Sequence, residues 1–381
     1  MSAVNSVSVA APFFKVNPFA KDKSKSFSLT LLIIGIFLLV VCGGTVSAAK
    51  EVSVALLLPG PITDGGWDQL AYEGLQELKS QKGFKGSFTE NIGQSDIAEI
   101  TRGYADDGYD LIIGHGYEFG SAFIEIAPEY PNQFFFATTF QPQDNIPANI
   151  QYVDAAYYDA SYAAGALAAL LSKSHVVGFV GGGDNPTQRG MMNAFISGAK
   201  NTVPGSTGLG VVTGDYNDAV KGREAAITMI GNGADVIWHA ADVTGLGAIE
   251  GAVASNALVL GAYSDQTGIA PKHMGASLVM DLNNMVQKLG HDVANGSFAA
   301  GQEWQPKVSE MWHWSAGEKD HNPAIIPNDL WKQYLQIWNA LMRCYARALT
   351  CVLTIFSTCS SCSTCIADHL EGVLQVWSTS S

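Results

Sequence analysis

Alternating secondary-structure signals dominate the chain from residue 50 onwards. Short apolar, β-branched runs are separated by amphipathic stretches of about 10–15 residues, which is typical of βαβ units in a parallel sheet covered on both faces. The predicted strands are Val52–Leu58, Gly86–Glu90, Leu111–Gly114, Phe134–Thr138, Ile150–Val153, His175–Val180, Gly210–Thr213, Val236–His239, Ala257–Gly261 and Gly275–Val279. The predicted helices are Trp67–Lys79, Ile97–Asp106, Ala122–Tyr130, Tyr158–Ser172, Gln188–Lys200, Asp218–Gly231, Gly247–Ser255 and Asp281–Asn295. About ten strands are too many for one comfortable doubly wound sheet, so the pattern predicts an α/β protein of two lobes.

Five of the predicted strands end in similar loops. The loops follow Leu58, Ile113, Val180, His239 and Gly261, and each contains glycine, a carboxylate or histidine, and often an aromatic residue. In open α/β sheets, ligands bind beyond the carboxyl ends of the strands. If the two lobes turn these edges towards one another, the five loops line a single cleft between the lobes.

The first of these loops carries the most informative residues. Asp64, Trp67 and Asp68 stand where a Gly/Pro turn becomes the first predicted helix. A tryptophan beside two carboxylates supplies a stacking face and hydrogen-bond acceptors but no nucleophile, so the loop predicts a binding site rather than a catalytic one. Two alternatives remain open: Trp67 can pack the helix onto the sheet, and Asp64 can cap the helix.

Motifs for catalysis or cofactor binding are absent from the sequence. It has neither a dinucleotide fingerprint nor a phosphate-binding P-loop, and residues 43–343 contain no cysteine. His115 and His239 end predicted strands, and we favour hydrogen-bonding or core roles for them over a metal site shared with the first loop. The glycines at 181–183 allow either an anion cradle or a tight turn with positive φ. We therefore predict a protein with no catalytic residue, metal or cofactor.

The two ends of the chain differ from its body. Residues 1–49 combine a Lys-rich start, an apolar run at Leu29–Val41 and an A-x-A-like site at Val46–Ala48. They predict a signal peptide, with an uncleaved anchor as the alternative, because the run is shorter than a spanning helix requires. Cys42 suggests lipidation, but Val41 occupies a position where lipoprotein processing needs a small residue. The protein is therefore expected outside the cytoplasm, periplasmic or extracellular, with N-terminal anchoring as an open alternative.

The segment 341–381 is rich in Cys and Ser. A short apolar helix at Tyr345–Phe356 is predicted, and Cys359, Cys362 and Cys365 follow it. Three cysteines without a fourth ligand make a poor zinc site, so we interpret the segment as an appended tail, with a palmitoylated patch and sequence foreign to this domain as the open alternatives. The net charge of the whole chain is −14, which argues against nucleic-acid partners, since these need a basic footprint.

Several motifs, taken in order, resemble one family. They are Asp64-x-x-Trp67-Asp68-Gln69 with Gly74, Gly114-His-Gly116-Tyr117, Ser161-Tyr-Ala-Ala-Gly165, Val177-Gly-Phe-Val-Gly-Gly182 with Asp184-x-Pro186, His239-Ala-Ala241 with Thr244-Gly-Leu-Gly247, and Ser264-Asp265-Gln266. This series resembles the basic membrane protein family, the extracytoplasmic substrate-binding proteins of ABC-type nucleoside importers. The resemblance covers roughly residues 50–340.

The resemblance implies a fold and a set of roles. The fold is the type I periplasmic-binding-protein fold, with two doubly wound parallel-sheet lobes, a three-segment hinge and the ligand between the lobes. Trp67 matches an aromatic residue that stacks on the ligand, Asp68 a hydrogen-bonding residue and Asp265 an acid at the ligand's polar end, while Gly245 falls in the facing loop. The candidate ligand-binding residues are Asp64, Trp67, Asp68, His115, Tyr117, Asp184, Met191, His239, Gly245 and Asp265.

The expected domain boundaries follow from the same resemblance. Lobe 1 is expected at 50–153 plus 264–298, and lobe 2 at 154–263 plus 299–340. The implied partners are a small-molecule ligand and an ABC permease at the membrane, and the chain is expected to be a monomer. The expected function is delivery of a small polar or planar, nucleoside-like solute to an ABC importer. The alternatives are a ligand-sensing input subunit of a membrane receptor and, less favoured, a hydrolase of the cleft.

Some positions depart from the nucleoside-binding pattern. Such members tend to carry an aromatic residue in place of Met191, lysine in place of Met280, an acid in place of Tyr263, and aspartate near Thr138 and Thr139. A site that hydrogen-bonds hydroxyls fails without its polar groups. The architecture is therefore the firmer expectation, and a purine nucleoside the weaker one.

Overall fold

Two six-stranded sheets form the framework of the chain. A computed structural model describes residues 51–138 and 146–353, with side chains up to Leu341. The predicted signal peptide, Cys42 and the three tail cysteines lie outside the described residues. The strands in chain order are β1 Val52–Leu57, β2 Phe84–Thr89, β3 Leu111–Gly114, β4 Phe134–Thr138, β5 Ile150–Val153, β6 Val176–Gly181, β7 Thr207–Val212, β8 Val236–Ala240, β9 Leu258–Tyr263, β10 Met274–Met280, β11 Gln302–Trp304 and β12 Trp312–Ser315.

Helices connect these strands and cover the sheets. In chain order they are α1 Trp67–Ser80, α2 Ile97–Asp106, α3 Phe119–Ile126, α4 Tyr157–Leu171, α5 Pro186–Thr202, α6 Ala219–Gly231, α7 Asp242–Ala254, α8 Leu282–Asn295, α9 Val308–Met311 and α10 Asn328–Leu353, with a 3-10 turn at Ala127–Glu129. The first sheet has the order β11-β5-β4-β3-β1-β2 and the second β12-β10-β9-β8-β6-β7. All described pairings are parallel except that of β10 with β12. The predicted α/β architecture of two lobes is confirmed.

The central strands are buried on both faces, which explains why their sequences are almost continuously hydrophobic. In β1, Val54 and Leu56 point into a core that continues into the second lobe, whereas Ala55 and Leu57 point into a separate core on the other face of the first sheet. Since successive side chains of a strand alternate between faces, a strand buried on both sides needs apolar residues throughout.

The chain crosses between the two sheets three times, after β5, β10 and β11. The crossing segments are bonded to one another: the backbone N–H of Asp154 donates to the carbonyl of Trp304 at 3.0 Å, and that of Asp281 donates to the carbonyl of Met311 at 2.8 Å. The three connections thus lie side by side and form the hinge.

The pairing of β10 and β11 differs from the predicted lobe boundaries. Within the segment 264–298, β10 pairs with β9 in the second sheet, while α8 packs against α1 on the first lobe. Within 299–340, β11 pairs with β5 in the first sheet. The first difference arises because the connection between β9 and β10 is short, which keeps the two strands in one sheet. The second arises because β11 has only three residues, too few for a strand pattern to be recognised in the sequence.

The C-terminal helix begins earlier than predicted. Helix α10 starts at Asn328 rather than near Tyr345. Its Trp331 and Tyr334 pack around Trp314, whose indole N–H donates to the Tyr334 hydroxyl at 2.9 Å. Trp314 therefore belongs to the packing of this helix on the second lobe.

Candidate ligand-binding site

A cavity lies between the lobes, beyond the carboxyl ends of the parallel strands, and we call it the ring cavity. It holds about 440 Å³ of space between atoms, its open mouth included. The residues that line it are Pro59, Trp67, Gly116, Tyr117, Glu118, Tyr157, Asn185, Thr187, Gln188, Met191, Tyr216, Asp242 and Tyr263. All five loops that the sequence predicted to share a cleft contribute to this set. The cavity therefore has walls from both lobes, and it lies where ligands bind in open α/β sheets.

A second, more polar cavity adjoins the first, and we call it the acid cavity. It shares Pro59, Glu118, Tyr216 and Asp242 with the ring cavity. Its other lining residues are Gly60, Asp68, Ile92, Gly214, Asp215 and Asn217. The two cavities together form the cleft, so one solute can reach aromatic rings and carboxylates at the same time.

Trp67 is held in place by the start of α1. The Asp64 carboxylate accepts the backbone N–H groups of Gly66 at 3.0 Å, Asp68 at 2.8 Å and Gln69 at 3.0 Å. It satisfies N–H groups that have no partner inside the first turn of a helix. Asp64 is fully buried and lines neither cavity. It thus fixes the loop that presents Trp67 and Asp68, and its direct contact with a ligand stays a prediction.

The Trp67 ring contacts both lobes. His115 stacks on it with a centroid distance of 4.4 Å and an interplanar angle of 20°. Tyr263 of the second lobe meets it edge-on at 5.2 Å, and Tyr157 lies tilted at 6.1 Å. Trp67 is 8% exposed. The ring thus packs against His115 and also lines the ring cavity, and its stacking on a ligand stays a prediction.

The two predicted histidines stand behind the walls of the cleft. His115 lies within hydrogen-bond distance of the Trp67 carbonyl and of the Thr138 hydroxyl, each at 3.1 Å. His239 lies 2.9 Å from the side-chain oxygen of Gln266. Burial lowers the pKa of His115 to about 3 and that of His239 to about 4, the latter opposed by the Gln266 bond. Both imidazoles are therefore neutral at physiological pH, and their contact with a ligand stays a prediction.

Tyr216 reaches the cleft because two glycines leave room for its ring. A Cβ on Gly182 would lie 2.0 Å from the Tyr216 ring, and one on Gly183 would lie 2.4 Å from it. The Tyr216 hydroxyl accepts the Asn185 amide at 3.0 Å. The glycines at 181–183 lack positive φ, so a tight turn does not explain them. The close approach of the Tyr216 ring explains why glycine stands at positions 182 and 183.

Two lining residues adopt a left-handed backbone. Asp242 has φ 47° and Tyr263 has φ 66°. This conformation is tolerated by aspartate but is uncommon for a bulky residue such as tyrosine, and such positions cost about 1–3 kcal/mol each. Both stand where strands of the second sheet end at the cleft. Strain at these positions orients an acid and a ring towards the solute.

Four carboxylates line the cleft. Asp68 and Glu118 come from the first lobe, and Asp215 and Asp242 come from the second, where Asp215 pairs with Lys221 at 3.1 Å. Burial raises the pKa of Asp68 well above its usual range, and the neighbouring charges of Asp242, Asp64 and Glu118 add to this shift. Burial likewise raises the pKa of Asp242 and of Glu118. The cleft therefore carries mutually repelling acids in a poorly solvated place.

Two predicted acids lie away from the cavity lining. Asp184 is exposed and forms a two-point ion pair with Arg189, at 2.7 and 2.8 Å. Asp265 is exposed and accepts the Thr267 backbone N–H at 3.0 Å and the Ser315 hydroxyl at 2.9 Å. Their geometry is that of a surface pair and of a turn, and direct ligand contact by either residue stays a prediction.

The remaining predicted residues fall into two groups. Tyr117 and Met191 line the ring cavity. Gly245 does not line it but lets α7 approach His239, since a Cβ on Gly245 would lie 2.0 Å from the His239 Nδ1.

Several lining residues were not singled out from the sequence. Glu118 and Asp242 lie in loops that were recognised as cleft loops, but the neighbouring histidines were chosen instead. The histidines at the strand ends turn inwards, whereas each acid comes three residues later, at the start of the following helix. Tyr157 and Tyr216 gave no local signal, because tertiary contacts alone bring them to the cleft.

A metal centre and a membrane-spanning helix are both absent from the described residues. Among them, no group of three or more His, Cys, Asp or Glu side chains has the arrangement of a metal site. No helix in the same part of the chain combines the length and apolarity that crossing a membrane requires.

Two α/β lobes, a three-segment hinge and a small-molecule cleft at the facing strand ends define a solute-binding protein of the periplasmic-binding-protein class. The chain matches the family described as ABC transporter substrate-binding protein PnrA-like over residues 51–311, and it belongs to this family. The resemblance inferred from the ordered motifs is confirmed. The family implies a small-molecule ligand and a permease partner, and its members are extracytoplasmic binding proteins.

Curated relatives agree with this assignment. The CD4+ T-cell-stimulating antigen of Listeria innocua is 30% identical over 243 residues, which is 60% of this chain and 67% of that protein. Basic membrane protein A of Borreliella burgdorferi is 27% identical over 258 residues, which is 67% of this chain and 76% of that protein.

Solved structures share the fold. An ABC transporter solute-binding protein of Aeropyrum pernix K1 matches with a TM-score of 0.69 at 18% identity, covering 86% of this chain and 99% of that one. A solute-binding protein of Conexibacter woesei matches with a TM-score of 0.61 at 22% identity, covering 78% of this chain and 97% of that one. The type I periplasmic-binding-protein fold is thereby confirmed.

Proposed function

We propose that this chain is an extracytoplasmic solute-binding protein that encloses a small polar or planar, nucleoside-like solute and delivers it to an ABC importer. The observation that carries the proposal is the ring cavity, whose walls come from both lobes and meet at Trp67. Because Trp67 contacts residues of both lobes, a solute that stacks on its ring would touch both lobes and stabilise their closed arrangement.

Contacts across the cleft support closure around a solute. The Ser264 hydroxyl and the Gln266 amide of the second lobe both donate to the Gly65 carbonyl of the first lobe, the latter at 3.4 Å. Trp67 and Tyr263 meet beside them. Hinge rotation that makes or breaks these contacts would expose or hide a composite two-lobe surface, which a permease can read as the bound state.

Binding without chemistry fits the lining. The ring cavity, as far as the structure describes it, offers aromatic rings, amides, one threonine and carboxylates. A nucleophile paired with a general base is not part of this set. One chain supplies both walls, so the proposal treats the active form as a monomer at the outer face of the membrane, with or without an N-terminal anchor.

The test is a solute screen on the purified full chain. Thermal shifts are recorded with nucleosides, nucleobases, sugars, amino acids and amines, and hits are titrated by calorimetry. A ligand that binds only the folded state raises the melting temperature. We expect one-to-one binding that is lost in Trp67→Ala, with Trp338→Ala, far from the cleft on α10, as the control.

Two outcomes would contradict the proposal. Chromatography after incubation would reveal conversion of the hit, and turnover would replace the binding function by an enzymatic one. Uptake of the labelled hit by cells with and without the gene separates transport from sensing. Unchanged uptake in the deletion strain would remove the importer from the account.

A further inference from the structure

The acids of the cleft lack a counter-charge among the described lining residues. Neither cavity is lined by lysine or arginine in the part of the chain that the structure describes. Three bases lie around the cleft: His115 is buried behind Trp67 with a lowered pKa, Arg189 is paired with Asp184, and Lys221 is paired with Asp215 at 3.1 Å. This leaves Asp68, Glu118 and Asp242 as the acids for which no ion pair is seen among the described residues. Buried carboxylates without a cation are costly, because each has lost its hydration and repels the others.

One of these acids also has a carboxylate oxygen without a hydrogen-bond partner among the described residues. Asp68 is 1% exposed, and its Oδ1 atom has no partner among the described residues. Its Oδ2 atom lies against Gly60, where a Cβ would come within 2.5 Å. Asp68 therefore presents a free acceptor at the wall of the acid cavity. Buried polar atoms without a partner are rare, and in a binding cleft the solute is the natural partner.

Aromatic rings surround the same space. Trp67, Tyr157, Tyr216 and Tyr263 line the ring cavity beside Glu118 and Asp242. Ring faces attract cations through their quadrupole, and the attraction grows when water is excluded. Clusters of aromatic rings with nearby acids are the usual recognition device for ammonium groups.

We propose that the solute of this cleft is an organic cation, with an ammonium or other cationic nitrogen among Asp68, Glu118 and Asp242 and a planar or apolar part against the rings. This rests on the proposed function and names its substrate class. An organic cation fits better than a metal ion, since the described carboxylates do not form a metal-binding group. A neutral solute would use the acids only as acceptors and leave their charge uncompensated.

Matched probes test the charge directly. The full chain is titrated by calorimetry with 1-methyladenosine, which is cationic at neutral pH, and with adenosine, its neutral counterpart. A second pair is benzyltrimethylammonium and benzyl alcohol. We expect the cationic member of at least one pair to bind about tenfold more tightly than its partner, because a buried charge pair contributes at least that factor. Equal or tighter binding of the neutral member in both pairs, or no binding of either cation, overturns the proposal.

Carboxylate variants assign the effect to the cleft. Asp68→Asn and Asp242→Asn keep the side-chain shape, and asparagine tolerates the left-handed backbone of position 242. We expect each to weaken the cationic probe about tenfold and the neutral probe by less than about threefold. Asp107→Asn, an exposed acid at the end of α2, is the control. Equal losses for both probes would contradict charge recognition.

The screen keeps the two proposals separable. If neutral solutes bind in the cleft and the cations do not, the organic-cation assignment fails while the binding function stands. If no solute of any class binds, the binding function itself fails. Circular dichroism of each variant ensures that a loss of binding is not a loss of folding.

Discussion

The two walls of the cleft are built in different ways. The first-lobe wall comes mainly from two strand-end loops, at 59–68 and 116–118; Asp64 caps α1, and His115, at the start of the second loop, stacks behind Trp67. The second-lobe wall is assembled from separate elements and depends on the strained backbone of Asp242 and Tyr263. The first wall is thus a locally fixed platform, while the second depends on tertiary placement. We infer that the first wall defines where a solute sits, and that carboxylates of both walls define which solute is accepted.

The largest effect is expected when the Trp67 ring, the centre of the first wall, is removed. Trp67→Ala is expected to weaken the best-binding solute of the screen about 100-fold, or roughly 2.7 kcal/mol, because central aromatic anchors dominate binding energy. Trp67→Phe keeps a ring and should lose less than about tenfold. Calorimetry measures both. A Trp67→Ala protein that is folded and binds normally would show that the first wall is not the platform.

The next largest effect is expected from a change in the second wall at Gly182, a residue that is not expected to contact the ligand. Gly182→Ala places a methyl group 2.0 Å from the present position of the Tyr216 ring, so the ring must move. We expect affinity to fall about tenfold, as for the loss of one interface side chain. Gly103→Ala, where a Cβ meets nothing within 4 Å, is the matched control and should bind normally. Equal affinities of the two variants would contradict the placement of Tyr216.

The acid at the edge of the first wall should affect stability in the empty protein. Burial and neighbouring acids raise the pKa of Asp68 in the folded state, so stability is lost as the pH rises from the unfolded pKa to the folded pKa, because only the unfolded state ionises in that interval. Asp68→Asn removes this cost and should stabilise the unliganded protein by about 1 kcal/mol at pH 7, a gain typical of relieved functional sites. Below the unfolded pKa of about 4 both states are protonated, so the gain disappears. Urea unfolding at pH 7 and about pH 3, below that unfolded pKa, checks this, and a pH-independent gain would contradict it.

The smallest effect is expected outside both walls. Asp184→Asn breaks an exposed ion pair with Arg189, and surface pairs contribute little. Affinity should change less than about twofold, by calorimetry. A loss of tenfold or more would move Asp184 into the site and would favour the ligand contact that its sequence motif suggested.

The contrast between the walls also explains what the sequence could predict. Two lobes, the parallel sheets and the cleft loops follow from apolar strands that alternate with amphipathic helices, as in Val52–Leu57 before α1. Trp67 and Asp68 were identified because their loop, turn and helix are adjacent in sequence. Tyr216 was not, because its ring reaches the cleft only where Gly182 and Gly183 from another loop leave space.

The assignment of acids shows the same limit. Asp64 and Asp68 stand four residues apart and have similar local signals, yet one caps a helix and the other faces the acid cavity. Only the three-dimensional arrangement separates a carboxylate that is satisfied by backbone N–H groups from one with a free oxygen. The pairing of β10 with β9 and of β11 with β5 is likewise a property of the folded sheets.

A crystal structure of the protein with its best-binding solute tests the central claim most directly. The account predicts one solute between the lobes, its planar or apolar part against Trp67 and Tyr263, and a cationic nitrogen within hydrogen-bond distance of the Asp68 Oδ1 atom. A solute bound outside the cleft, or one in the cleft that leaves both Trp67 and Asp68 without contact, would contradict it.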